Sequence, residues 1–137
     1  MKAKKAKYLT NSEEDLMEMF WEKNVPLTSV EILKFSADRT WNGNYVHIML
    51  RSLLKKGMIK VCGTAQYGTQ YARQFIPAVT KEQYAAKIVM SKGIDRSSIA
   101  AVTVAMVNEV NDTDGESLIQ QLEEIIEELK EQEKKEQ

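Results

Sequence analysis

The side chains with the clearest chemistry in this sequence lie in one short stretch, between Asn42 and Lys55. Asn44, His47 and Arg51 follow each other at intervals of one helical turn, so a helix through this stretch presents them on one side. An asparagine amide can pair with adenine, and an arginine guanidinium with guanine or phosphate. The spacing therefore indicates a helix whose outer face contacts DNA; an ordinary solvated helix surface is the alternative.

Apolar and cationic side chains lie beside these residues. The carbon surface of Tyr45 or Ile48 would fit against a thymine methyl group, and Lys55 would meet a phosphate. The candidate DNA contacts in this stretch are Asn42, Asn44, Tyr45, His47, Ile48, Arg51 and Lys55. The candidates further along, for contact with phosphates or the minor groove, are Lys60, Gln66, Tyr67 and Arg73.

Little else in the sequence could support catalysis or hold a metal. His47 is the one histidine and Cys62 the one cysteine, which excludes a His-rich zinc site and an internal disulfide. No nucleophile with a base, glycine-rich phosphate loop or paired ligand motif is visible. We therefore expect no enzyme activity, cofactor or metal. Cys62 is interpreted as a small apolar strand residue, with redox sensing as the alternative.

Charge is distributed unevenly along the 137 residues. Residues 1–80 carry 12 basic against 7 acidic side chains, whereas residues 109–137 carry 3 against 11. This asymmetry predicts a basic body that approaches an anionic polymer and an acidic, solvated tail. Without an apolar stretch of about 18 residues or a secretory signal, we expect a cytoplasmic protein that does not insert into membranes. The lysines that open the chain would either follow phosphates or keep the terminus soluble; they are Lys2, Lys4, Lys5 and Lys7.

Two capping boxes predict two helices at the start of the chain. Thr10–Glu13 precedes a helix over 11–23, and Thr28–Glu31 precedes a short second helix. Their apolar residues recur at helical spacing and are expected in the core. These residues are Leu16, Met17, Phe20, Trp21, Val30, Ile32, Leu33 and Phe35.

A third helix and a hairpin follow. The helix is predicted from Asn44 to Lys56, anchored by Trp41 before it and stopped by Gly57. Strands are predicted at 58–62 and 70–76, with a loop at 63–68. Three helices and a hairpin predict a winged helix-turn-helix. The inward residues of the third helix are Val46, Met49, Leu50, Leu53 and Leu54.

The remainder of the chain is predicted to be helical. Thr80 caps a helix over 81–92, the stretch 99–110 reads as a buried helix, and a capping box at Thr113–Glu116 opens a last helix that frays from residue 131. So much apolar surface exceeds what these helices can bury alone, so a second copy of the chain is expected to cover it. The predicted dimerisation residues are Ile99, Met106, Val110, Leu118, Leu122, Ile125, Ile126 and Leu129.

From Leu9 to about Leu129, the order of elements resembles the penicillinase and methicillin-resistance repressor (BlaI/MecI) family, which includes copper-responsive repressors. The resemblance rests on order and spacing together. Its segments are Leu16–Trp21, Leu27–Ile32, Trp41, Met49–Leu53, Lys55–Ile59, Phe75–Pro77 and Glu82–Tyr84. It implies a winged helix, a C-terminal dimerisation module, and repression of transcription at palindromic operator DNA.

The sequence also departs from that family. Tyr45 and Ile48 replace residues that are typically threonine, and Ser52 replaces a basic residue, which implies a different operator. The family's cleavable Asn-Phe pair has no counterpart between residues 93 and 111, and the cysteine-rich C-terminus of the copper-responsive branch is missing. Neither proteolytic cleavage at that pair nor copper is therefore expected as the inducing signal, and any upstream sensor or protease stays unknown.

These observations lead to one preferred interpretation and one rival. The fold class is mainly α with a small β-hairpin: an N-terminal arm and winged helix over 1–79 and a helical dimerisation domain over 80–137. The preferred function is a homodimeric repressor on a palindromic operator, with the third helix in the major groove. The rival, motivated by the replaced reader positions and the few charges on the hairpin, is a winged-helix protein-interaction module that dimerises without sequence-specific DNA binding.

Overall fold

The structure is a computed structural model that describes residues 9–110 and 115–136. The chain divides into two compact units, with the boundary between Ile94 and Asp95. We call them unit 1 and unit 2. The sequence predicted a boundary after residue 79, between a DNA-binding and a dimerisation domain. That division by function stays a prediction.

Both predicted capping boxes are present and begin the first two helices of unit 1. Helix α1 spans Asn11–Lys23 and helix α2 spans Ser29–Phe35. In α1 the Thr10 hydroxyl accepts from the Glu13 amide at 3.1 Å, and a Glu13 carboxylate oxygen accepts from the Thr10 amide at 2.9 Å. Helix α1 ends at Asn24, whose φ of 55° is left-handed. The sequence prediction for α1 is therefore confirmed at both ends.

Helix α3 spans Gly43–Lys55, one residue earlier than predicted. The shift arises because Asn42, and not a later residue, is the N-cap: its side-chain oxygen accepts from the Tyr45 amide at 2.8 Å. Gly57, with φ of 75°, follows the helix as predicted.

The hairpin is longer than predicted. Strand β1 spans Ile59–Tyr67 and strand β2 spans Gln70–Pro77, in antiparallel register. The prediction of a loop over 63–68 is wrong because residues 63–67 pair with β2, and only two residues form the turn. Gly68 begins that turn with φ of 63°, as a two-residue hairpin connection requires.

The core of unit 1 lies between the three helices and the base of the hairpin. Two residues expected there, Val30 and Phe35, are 48% and 41% exposed, so their prediction as core is wrong. In the seven-residue α2, Ile32 is the buried residue, since one short helix can turn only a narrow stripe inward. Lys23 lies over the Phe35 ring, 4.1 Å from its centre. The buried apolar residues of unit 1 are Leu9, Leu16, Met17, Met19, Phe20, Leu27, Ile32, Val46, Met49, Leu50, Leu53, Met58, Ile59, Phe75 and Tyr84.

Helix α4, Lys81–Met90, packs onto this core with Thr80 as its predicted cap. The buried Tyr84 ring lies 6.0 Å from the Trp21 ring, centre to centre, and Trp21 Nε1 donates to the Val79 carbonyl at 3.0 Å. Burial, and secondarily a hydrogen bond to Glu14, raises the pKa of Tyr84. Helix α4 ends two residues before the predicted Lys92, ahead of Gly93, whose φ is 85°.

Unit 2 begins with a single 3₁₀ turn, Arg96–Ser98, and contains helices α5, Ile99–Glu109, and α6, Gly115–Glu136. The helical prediction for α5 is confirmed, but its burial is not, because no residue of α5 is buried within the chain. The predicted fraying from residue 131 is wrong, since α6 continues to Glu136. Thr113, the expected cap of α6, lies outside the described residues. Within 9–110 and 115–136, no helix has the length and apolar character to cross a membrane.

Candidate nucleic-acid interface

Helix α3 divides sharply into a buried and an exposed side. Asn44, Ile48, Arg51 and Lys55 are separated by four, three and four residues, so they form one stripe along the helix. All four are exposed, whereas the four residues that α3 turns inward are at most 3% exposed. Those inward residues are Val46, Met49, Leu50 and Leu53. The exposure predicted for the outer face is therefore confirmed.

The polar groups on this face are unengaged. Within the described part of the chain, no hydrogen bond or ion pair holds the side chains of Asn44, His47 or Arg51. Tyr45 and Ile48 flank them and are 38% and 47% exposed. A face with free donors and acceptors beside exposed carbon surface has the composition needed to contact base edges.

Asn42 has a role that the sequence prediction missed. It was predicted as a DNA contact, but its side-chain oxygen is occupied by the Tyr45 amide as the N-cap of α3. Its exposed side chain keeps its two amide donors and one lone pair of the oxygen for another partner. An asparagine three residues before Tyr45, at the start of an amphipathic run, is the signal that would have identified this cap.

A buried ion pair holds the far end of α3. Lys56 directly follows α3, and its Nζ lies 2.7 Å from a carboxylate oxygen of Glu13 in α1. The Glu13 side chain is 5% exposed. Burial alone would raise the pKa of Glu13, but hydrogen bonds from Lys56, Ser52 and the Thr10 backbone together lower it below its ordinary value. The carboxylate thus stays charged and joins the beginning of α1 to the end of α3.

Trp41 lies before α3 and packs against the core, as predicted. The Arg39 guanidinium lies 5.1 Å from the centre of the Trp41 ring and donates to Asp15 at 2.9 Å. The segment that leads into α3 is therefore connected to α1.

The four wing residues named as DNA contacts are exposed but do not share one face. Lys60 pairs with Ile76 and Tyr67 with Gln70, which places both on one face of the hairpin, while Arg73 lies on the other. Arg73 stacks over Phe75, 5.3 Å from the ring centre. Tyr67 Oη lies 2.9 Å from Thr28 Oγ1, a contact between residues 39 apart that no local pattern predicts. Gln66 Nε2 donates to the Gly68 carbonyl at 2.9 Å, so the structure gives three of the four an internal partner.

The predicted dimerisation residues form exposed apolar surface in unit 2. Leu118 and Leu122 are partly buried, and the other six are exposed. Met106 and Leu129 are each 57% exposed, and Val110 is 55% exposed. This much uncovered carbon surface is characteristic of an interaction site.

The lone histidine and cysteine are both exposed. Across the described ranges, no group of three or more His, Cys, Asp or Glu side chains is close enough to hold a metal ion. Cys62 occupies the bulge in β1, and its Sγ lies 3.5 Å from the Gln74 carbonyl oxygen. It is a strand residue, as predicted, although it is exposed on that strand.

Comparisons with known proteins place these features in a family. The sequence model of the penicillinase repressor family matches residues 9–132. No curated protein matches the chain.

Three solved structures are similar to the chain. BlaI of Bacillus licheniformis, in its monomeric form in complex with the blaP half-operator, is 23% identical, with 60% of this chain and 94% of that one covered and a TM-score of 0.42. A variant of ZitR from Lactococcus lactis is 14% identical, with 93% of this chain and 80% of that one covered and a TM-score of 0.42. A variant of MepR from S. aureus is 16% identical, with 89% of this chain and 80% of that one covered and a TM-score of 0.43. These TM-scores are low, so the sequence match identifies the family. Because that match extends over nearly the whole winged helix and both helices of unit 2, the chain belongs to the penicillinase repressor family of DNA-binding transcriptional regulators.

Proposed function

We propose that the chain represses transcription as a homodimer on a palindromic operator, with α3 of each protomer in a major groove. The observation that carries this proposal is the outer face of α3, where Asn44 and Arg51 are exposed and unengaged within the described residues. The buried side of the same helix is fully packed, which presents this face on a rigid support. Arg51 would contact guanine or phosphate, and Asn44 would contact adenine.

The exposed apolar surface of unit 2 supports the proposed dimerisation. A single small DNA-binding domain discriminates poorly between DNA sequences, whereas two linked domains contact two half-sites about 34 Å apart. The apolar residues of α5 and α6 would be covered by the same residues of a second copy, because a two-fold interface uses one patch twice. In this proposal residues 80–137 supply the dimerisation function.

Selection of bound sequences from random duplexes, repeated at two salt concentrations, tests the proposal. A repressor of this kind selects an inverted repeat, and its affinity falls steeply with added salt because each phosphate contact releases condensed counterions. Selection of a single, non-repeated site would argue against the dimeric arrangement. Duplex binding without sequence preference would argue against base reading by α3.

The second candidate function is a protein-interaction module that dimerises without reading DNA. The exposed Tyr45 and Ile48 favour it, since carbon surface on α3 also suits a protein partner. The engagement of Arg73 with Phe75 and of Tyr67 with Thr28 also favours it, because both contacts occupy wing residues that would otherwise reach DNA. Duplex affinity that depends steeply on salt would exclude this candidate as the main function.

A further inference from the structure

The outer half of the hairpin has few buried contacts of its own. Its base is held by Met58, Ile59 and Phe75, each at most 3% exposed. From residue 63 to residue 73 every side chain is exposed or partly exposed. Because an isolated two-stranded ribbon is only marginally stable in water, contacts outside the hairpin must orient this half.

Tyr67 makes such a contact. It is the last residue of β1, next to the turn, and its hydroxyl hydrogen-bonds to the Thr28 hydroxyl at 2.9 Å. Thr28 is the N-cap of α2, and α2 packs against α3. The bond therefore joins the tip of the wing to the helix pair that carries the proposed reading face.

Thr28 is a rigid attachment point. It is 0% exposed, its hydroxyl accepts from the Glu31 amide at 3.2 Å, and its own amide donates to Glu31 at 2.9 Å. The preceding residue, Leu27, exchanges two backbone hydrogen bonds with Phe75, at 3.0 and 2.9 Å. The position of the Thr28 hydroxyl is thus determined from both sides.

A bulge in β1 determines which face Tyr67 occupies. The register shifts between Val61 and Gly63, where Cys62 is the extra residue. Side chains alternate along a strand, so in a strand without a bulge Tyr67, seven positions after Lys60, would lie on the opposite face; because the bulge leaves Cys62 unpaired, both lie on one face. The bulge and the hydrogen bond together orient the outer wing.

We propose that Tyr67 is a positioning residue that locks the wing to the N-cap of α2 through Thr28, and that it supports DNA binding through this lock rather than by touching DNA. The role in binding rests on the proposed function. The lock itself does not, because it is a property of the free protein.

Hydrogen exchange in the full chain without DNA tests the lock. In Tyr67→Phe, which removes only the hydroxyl, the amides of residues 63–74 should exchange about 2- to 10-fold faster, the effect of one net hydrogen bond. Tyr71→Phe is the matched control, since it removes a hydroxyl from the same hairpin at a residue 68% exposed. Thr28→Ser keeps a hydroxyl at the cap and should also exchange at the wild-type rate. Unchanged exchange in Tyr67→Phe would overturn the lock.

Binding to the selected duplex tests the second half of the proposal. Tyr67→Phe should lower affinity about 2- to 10-fold and reduce its salt dependence, because a mobile outer wing presents Arg73 less well to phosphates. In a Thr28→Val background, where the bond is already absent, the same change should have no further effect. A loss of affinity with unchanged salt dependence, or with full effect in that background, would instead indicate direct contact by the neutral phenol and would overturn the proposal.

The two proposals can fail separately. A wild-type chain without salt-dependent duplex binding would remove the proposed function, while the exchange comparison would still support or overturn the lock. Sequence-specific binding by the wild type with no exchange difference in Tyr67→Phe would remove only the lock.

Discussion

The two units of the chain differ in how much apolar surface they bury. In unit 1 the large side chains of three helices and a hairpin meet in one core, where Phe20, Leu16 and Ile32 are 0% exposed. In unit 2 neither α5 nor α6 has a buried residue among those described. Unit 1 thus holds its fold by its own contacts, whereas the apolar surface of unit 2 is left uncovered, as the proposed dimerisation would require.

The largest expected effect separates these two kinds of stability. Phe20→Ala should destabilise the protein by about 3–5 kcal/mol in denaturant unfolding, because it leaves a cavity in a closed core. The loss should be independent of protein concentration. Val104→Ala, at a residue of α5 that is 59% exposed, is the matched control, and any effect it has should depend on concentration. A concentration-independent loss of equal size from both variants would contradict the comparison.

Association through unit 2 should fail when charge enters its apolar surface. Leu122→Glu should weaken dimerisation more than about a hundredfold, since an unpaired carboxylate would have to be desolvated in the interface. Light scattering over a dilution series measures this, and operator binding should weaken with it. Glu127→Gln, on the polar side of α6, should remain dimeric. A Leu122→Glu protein that stays dimeric would remove α6 from the interface.

The third test compares the buried ion pair of Glu13 in unit 1 with an exposed ion pair in unit 2. The lowered pKa of Glu13 means that its ionised form stabilises unit 1 above the unfolded-state value of about 4.3, and that this stabilisation is lost as the pH falls through the lower folded value. Glu13→Gln should therefore cost about 1.5–3 kcal/mol near neutral pH and flatten the dependence of stability on pH below about 5.

The exposed ion pairs of α6 supply the control for this test. Glu127 and Lys130 lie 3.6 Å apart, with side chains 73% and 66% exposed, so removing the Glu127 charge should change stability far less. Denaturant titrations at pH 3, 5 and 7 measure both variants. Equal pH profiles for wild type and Glu13→Gln would show that the buried pair contributes nothing to acid sensitivity.

The smallest expected effect concerns DNA. Arg51→Ala on α3 should weaken operator binding by about 1–3 kcal/mol, as expected for loss of one good base contact. Arg96→Ala removes an arginine of unit 2 that is also exposed and should leave binding unchanged. Mobility-shift titration of both variants measures the difference. Equal losses would mean that the charge of the chain, and not the face of α3, provides the affinity.

Helix positions were largely predictable from the sequence because their signals are local. Thr10 with Glu13 and Thr28 with Glu31 begin two helices where predicted, and Gly57 follows α3 with the positive φ that its position implies. The exposure of Asn44 and Arg51 was also predictable, since the spacing of Val46, Met49, Leu50 and Leu53 determines which side of α3 turns inward.

The errors occur where the outcome depends on distant residues. Residues 63–67 look like a loop in sequence, yet they pair with β2, in a register that the bulge at Cys62 shifts by one residue. Phe35 and Val30 are apolar residues of the kind that usually lie in a core, but both are exposed because the short α2 presents only part of its surface to the rest of unit 1. The start of α3 is a local exception: it was placed one residue late because the N-cap formed by Asn42 was not recognised.

By itself, the sequence determined which segments are helical to within a few residues, the apolar face of α3 and the family, since each depends on residues within a few turns of one another or on their order. Only the tertiary structure decided that Tyr67 meets Thr28, that Lys56 meets Glu13, and that Arg73 and Lys60 lie on opposite faces of the wing. The first two are contacts between residues 39 and 43 positions apart, and the third depends on the pairing of two strands, so their geometry exists only when the fold has brought the elements together.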